Sequence, residues 1–165
     1  MKRRVPRSVF LLMLLIVAIP ALVFANSHGE VTTEHDEFTG QDSVILKNMD
    51  LGGQLYLFLL MKPNGKTVSV MLMYFANDWG FLKCHPIDWL IDGKPSPGPK
   101  TAHDGEVTSR GVTETITQEL PVDFFAKIVT GETVKGRLCT YEFAFTDDQR
   151  QTIRTFAETA KIKFK

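Results

Sequence analysis

The sequence is poor in the features that most often announce an activity. It has only 2 cysteines in 165 residues, and they do not stand as C-x-x-C, the spacing that catalytic thiol pairs use. No G-x-S-x-G elbow is present, so no serine sits in a strained strand-to-helix turn. Gly52-Gly53 leads into a strand pattern rather than a helix, which excludes a phosphate cradle at a helix N-terminus. His28, His35, His85 and His103 lack the short spacings of zinc or EF-hand sites. None of Asn26, Asn48, Asn64 and Asn77 opens an N-x-S/T sequon, which leans toward a bacterial protein. There is no internal repeat. After Ala25 no run of basic residues with interleaved aromatics appears, so nucleic acid is not an expected partner.

What the chain does have is an export signal. Lys2, Arg3, Arg4 and Arg7 precede an apolar block from Val9 to Ile19, Pro20 breaks it, and Val23-Phe24-Ala25 supplies the small or aliphatic exit of a cleavage site. The block is short for a spanning helix, so residues 1–25 are expected to be cleaved rather than to remain as an anchor, leaving no stable membrane insertion. Val5-Pro6 after Arg3-Arg4 argues against a twin-arginine signal, and no cysteine stands at the cleavage point to make a lipoprotein. Cleavage removes four of the 19 basic residues and none of the 19 acidic ones, leaving 15 against 19 and a net charge of −4. The exported chain has about 140 residues, one domain with enough length for a hydrophobic core. In an oxidising compartment the two cysteines read as a disulfide, Cys84–Cys139. Such a loop of about 55 residues contributes about 4 kcal/mol in the chain-entropy account, less any strain.

Along the chain, residues 26–41 are polar and acidic, which predicts a mobile N-terminal tail with an optional edge strand over Thr32–Phe38. Residues 42–165 form the expected globular domain. Ser43–Leu46 is a strand candidate. The wholly apolar run Leu55–Met61 predicts a strand buried on both faces, and Lys62-Pro63-Asn64-Gly65-Lys66 turns it into a second apolar strand, Thr67–Phe75. Trp79–Cys84 continues the β pattern, His85-Pro86 interrupts it, and Ile87–Ile91 resumes until Asp92-Gly93. Lys94–Asp104, with Pro95, Pro97 and Pro99, reads as a loop with polyproline character and a candidate protein-binding segment. Val107–Leu120 is one bent strand or a hairpin, with Thr113, Thr115 and Thr117 on one face and Val112, Glu114, Ile116 and Gln118 on the other. Pro121 opens a short helix that Gly131 ends. Thr133–Phe145 reads as one long strand. Thr146 caps a final helix in a capping box with Gln149, and Ile153, Phe156, Ala157 and Ala160 form its core stripe. The fold class is therefore mainly β within α+β: an antiparallel sheet or lopsided β-sandwich with the short helix and the C-terminal helix packed on one face.

From Trp79 onward the chain resembles a loose class of exported bacterial β-rich proteins. The likeness rests on Trp79-Gly80-Phe81 and Ile91-Asp92-Gly93, then Val112-Thr113-Glu114 leading to Phe124 and Ala126-Lys127, then Val134, Arg137 and Glu142-Phe143 before the capped helix. The resemblance implies a secreted β-rich domain and brings no established activity or catalytic residue.

No catalytic set, cofactor or metal site is expected. Trp79, Trp89, His85 and His103 are the candidate ligand contacts. The tryptophans also read as core anchors with hydrogen-bonded indoles, and Met61, Met71 and Met73 as core filler. The expected function is a non-enzymatic periplasmic or secreted domain that binds a ligand or envelope protein, or serves the envelope structurally. The alternative is a periplasmic hydrolase or metal-dependent enzyme using His85 and His103 with nearby carboxylates. The signal makes one direct prediction: N-terminal sequencing of the exported protein should begin at Asn26, and a start at Met1 would mean an anchored chain.

Overall fold

The computed structural model describes residues 27–63 and 65–164. The expected signal peptide, Asn26 and Asn64 of the expected turn lie outside them. Within the described residues the elements run β1 (His28–Asp36), β2 (Gln41–Asp50), β3 (Leu55–Met61), β4 (Thr67–Ala76), β5 (Ile87–Ile91), β6 (Lys94–Pro97), β7 (Thr101–Thr108), β8 (Gly111–Pro121), α1 (Val122–Thr130), β9 (Val134–Leu138), β10 (Tyr141–Ala144) and α2 (Asp147–Thr159). The strands make two antiparallel sheets, six-stranded in the order β1-β2-β3-β4-β8-β7 and four-stranded in the order β10-β9-β5-β6. The expected mainly β fold with two late helices is what the chain adopts. No helix among the described residues is long and apolar enough to cross a membrane.

Period-two alternation sets the large sheet. β3 and β4 pair from Leu55↔Tyr74 to Leu60↔Ser69, and Leu55, Leu57, Leu59, Val68, Val70 and Leu72 all point into the core. The intervening residues of both strands are half-buried or exposed. The run Leu55–Met61 is therefore not buried on both faces, as its composition suggests, because the helices and the small sheet all pack on one face of the large sheet.

The small sheet turns Ile87, Trp89, Ile91, Val134, Leu138 and Phe143 into that same core. Phe125 of α1 meets Phe156 of α2 edge to face, at 5.8 Å and 79°. Fully burying such side chains stabilises the fold by about 1.5–3 kcal/mol each. The capping box of α2 forms as expected: Gln149 N–H donates to Thr146 Oγ1, and Thr146 N–H donates to Gln149 Oε1. The same glutamine donates through Nε2 to the Asp50 carbonyl at 2.6 Å, docking the helix start on the end of β2.

Four local expectations are corrected. Residues 26–41 are not a tail throughout: β1 starts at His28 and pairs with β2 from His28↔Met49 to Asp36↔Gln41. Its polar composition suits an edge strand, which places few side chains in the core. The proline segment Lys94–Asp104 is not a loop but β6 and the start of β7. Pro95 and Pro97 lie opposite Leu90 and Asp88 on the edge strand; being two residues apart, both place their missing N–H on the open side. Thr133–Phe145 is a hairpin, because Cys139 takes a left-handed φ of 57° and turns β9 into β10. Trp79–Cys84 joins no strand ladder.

Gly136 shows how closely the small sheet is packed. It lies opposite both Trp89 and Phe143, and a Cβ there would stand 2.1 Å from Phe143 Cζ. Gly136→Ala should lower unfolding free energy by about 2 kcal/mol through overpacking, read from the urea midpoint; an unchanged midpoint would refute this packing.

Candidate functional site

The core face of β8 carries two fully buried polar residues, Glu114 and Gln118. Strand alternation places both there with Val112, Ile116 and Leu120. A buried carboxylate needs donors on its oxygens, and Glu114 has them. Gly80 N–H donates to Oε1 at 2.5 Å, Phe81 N–H lies 3.0 Å from Oε1 and 3.2 Å from Oε2, and His103 Nε2 lies 2.9 Å from Oε2. The Glu114 side chain thus stands where a neighbouring strand would, satisfying the backbone of a segment that has none.

That segment brings three of the predicted contacts together. His103 projects from β7 with 12% of its side chain exposed. His85 stacks on it, ring centroids 5.3 Å apart and planes 14° apart. Trp79 lies 6.4 Å from the His103 ring and covers Gly105, where a Cβ would meet Trp79 Cζ3 at 2.5 Å. The Thr101 hydroxyl donates to the His85 carbonyl at 2.7 Å. Its single proton being used there, the hydroxyl accepts from His85 Nδ1–H at 3.1 Å, which leaves Nε2 of a neutral His85 as the nitrogen with the free lone pair. Cys84 and Cys139 are disulfide-bonded, with Cα atoms 5.9 Å apart, so the segment is tied to the β9–β10 corner.

Trp89 stands apart from these groups. It is buried, and its indole N–H donates to Gln118 Oε1 at 2.8 Å, the core-anchor arrangement. His35 pairs with Asp42 and His28 with Asp148, both far from the stacked histidines in the fold. Among the described residues no group of three or more His, Cys, Asp or Glu side chains is placed to hold a metal ion. The roles of Glu114 and Gln118 are the part that sequence reading missed. The available signal was a carboxylate and an amide at core-facing positions of an otherwise apolar register.

Two surfaces formed by the outer faces of the sheets bear on recognition. On the outer face of the small sheet, Asp88, Leu90, Pro95, Pro97, Lys135 and Arg137 line a groove of about 430 Å³. Its guanidinium is occupied: Arg137 bonds Asp88 at 2.8 Å and lies opposite Glu142. On the outer face of the large sheet, apolar side chains from three adjacent strands face away from the core: Ile45, then Tyr56, Phe58 and Leu60, then Met71, Met73 and Phe75. None of them joins or packs against the core cluster. Phe75 is 41% exposed and meets Tyr56 edge to face at 5.9 Å. The methionines expected as core filler thus divide: Met61 points inward, while Met71 and Met73 point outward.

Glu114→Ala would leave the Gly80 and Phe81 amides and His103 without their acceptor in a buried place. The expected loss is about 3 kcal/mol of stability, with faster amide exchange at Gly80 and Phe81; unchanged exchange there would refute the latch. Comparison with protein-family models, with curated proteins and with solved structures returned no match to this chain.

Proposed function

We propose that the chain is an exported, disulfide-stapled, non-enzymatic binding domain that engages its partner through the outer face of the six-stranded sheet. One observation carries this reading: a contiguous apolar surface on β2, β3 and β4 that folding leaves outside the core. Exposed apolar patches of more than a few hundred Å² mark interaction sites on folded domains. Aromatic and methionine side chains, the types enriched at protein interfaces, make up most of this one. The signal pattern of residues 1–25 and the Cys84–Cys139 bond support a place outside the cytoplasmic membrane.

The enzymatic alternative draws on the His85–His103 stack beside exposed Trp79. Against it, both Glu114 oxygens already accept hydrogen bonds, so the adjacent carboxylate is engaged as a structural acceptor rather than held ready as a base. Asp88 is turned outward to Arg137, and Asp104, next to His103 in sequence, pairs in register with outward Thr115 on the opposite face of the sheet.

A photoreactive residue in place of Met73 should give a discrete cross-linked adduct in the native compartment. Phe58→Asp should abolish that adduct while circular dichroism shows the protein still folded, the half-buried ring costing about 1–2 kcal/mol of stability. A hydrolytic activity lost on His85→Ala, with no adduct at position 73, would replace this reading by the enzymatic one.

A further inference from the structure

We infer that the occupant of this outer face is a cationic amphipathic helix of a partner protein, an inference that rests on the binding role proposed above. The first support is shape. The apolar side chains come from three adjacent strands, about 10 Å across at the usual strand spacing, which matches the 10–12 Å diameter of one α-helix. From Tyr56 to Leu60 the stripe runs about 13 Å along the strand, a little over two helical turns. Laying a helix there would cover the second face of the sheet, the layering that α/β architectures use.

The second support is charge. Lys47 is the one lysine or arginine in the six strands of this sheet, and it is already ion-paired with Glu34. Carboxylates flank the stripe on both sides. Glu30 and Glu34 lie on β1, in register with outward Lys47 and Ser43; Glu34 is the partner of Lys47, so Glu30 is the surplus acid on this side. Asp104 and Glu106 lie on β7, in register with outward Thr115 and Thr113. Glu119 is held by Thr67 and Ser69. Lys62 and Lys66 belong to the turn between β3 and β4 at one end of the sheet, and Arg110 to the β7–β8 turn at the other end, where it lines a pocket with Phe75. An apolar stripe between acidic borders complements Leu-type residues flanked by Lys or Arg. The same borders disfavour a second copy of this chain laid face to face, which would oppose like charges, and disfavour an anionic bilayer.

The test uses the disulfide-bonded mature protein and two labelled peptides of about 18 residues, five helical turns, with leucine on one face and either lysine or glutamate on the other. Fluorescence anisotropy should show the lysine peptide bound at least about tenfold more tightly than the glutamate peptide, the difference shrinking in high salt. Met71→Glu should abolish binding of both peptides, with Phe58→Ser as a second patch variant and circular dichroism confirming that each is folded. Asp104→Lys/Glu106→Lys should erase the preference. Glu132→Lys/Glu158→Lys, the same charge change on exposed positions elsewhere, should keep it. Equal binding of the two peptides, still lost in Met71→Glu, would overturn the cationic occupant and leave the binding face standing. Peptide binding unaffected by Met71→Glu and Phe58→Ser would overturn the binding face itself. A dimer in sedimentation that Met71→Glu dissolves, or binding to phosphatidylcholine vesicles with no peptide binding, would assign the face to a second copy or to a membrane and overturn the inference.

Discussion

Two buried hydrogen-bonding side chains on β8 hold the two sheets of this protein in place. Gln118 accepts the Trp89 indole N–H, and its own amide donates to the Ile87 and Pro99 carbonyls; the small sheet and its approach to β7 are thereby fixed on the large sheet. Four residues earlier, Glu114 holds the Gly80 and Phe81 amides and His103. Both groups sit in a low-dielectric interior, where a satisfied polar network specifies one arrangement and an unsatisfied one costs several kcal/mol. Apolar packing supplies the larger share of the driving force, but it does not by itself say where residues 77–86 lie. The Glu114 carboxylate says that, and the disulfide to the β9–β10 corner holds the far end of the segment.

With that segment in place, the core is one-sided. Both helices and the small sheet bury their apolar faces against a single face of the large sheet. The opposite face keeps an apolar stripe that folding leaves outside the core and partly exposed, which is why binding is the natural use of it. The histidine pair and Trp79 lie on the other side, where their hydrogen bonds and ring contacts knit the segment to β7. Stability and the proposed recognition thus occupy different faces of the same sheet, so changes on the outer face leave the core intact.

Several parts of this arrangement were legible in the chain. The apolar strand Thr67–Phe75 after its turn, the capping box at Thr146 and Gln149, and the pairing of the two cysteines are local or combinatorial signals with few rival readings. The proline segment misled because proline suits an edge strand as well as a loop, and only the sheet order says which strand is at the edge. Thr133–Phe145 looked continuous because its composition has no turn residue at Cys139-Thr140; a left-handed cysteine at the corner has no sequence signature. Of the candidate contacts, Trp79, His85 and His103 come together while Trp89 goes to the core, a division that their spacing along the chain does not contain.

The sequence by itself determined the β-rich class with two late helices, the mild acidity of residues 26–165 and the cysteine pair, because these follow from local propensity, charge count and cysteine number. Tertiary structure decided the rest: whether Leu55–Met61 is covered on one face or two, which polar residues of β8 become buried acceptors, and that the apolar outer stripe lies between acidic strands far apart in the chain. Each of these depends on which elements stack against which, and that depends on burial summed over the whole core rather than on any single stretch of residues.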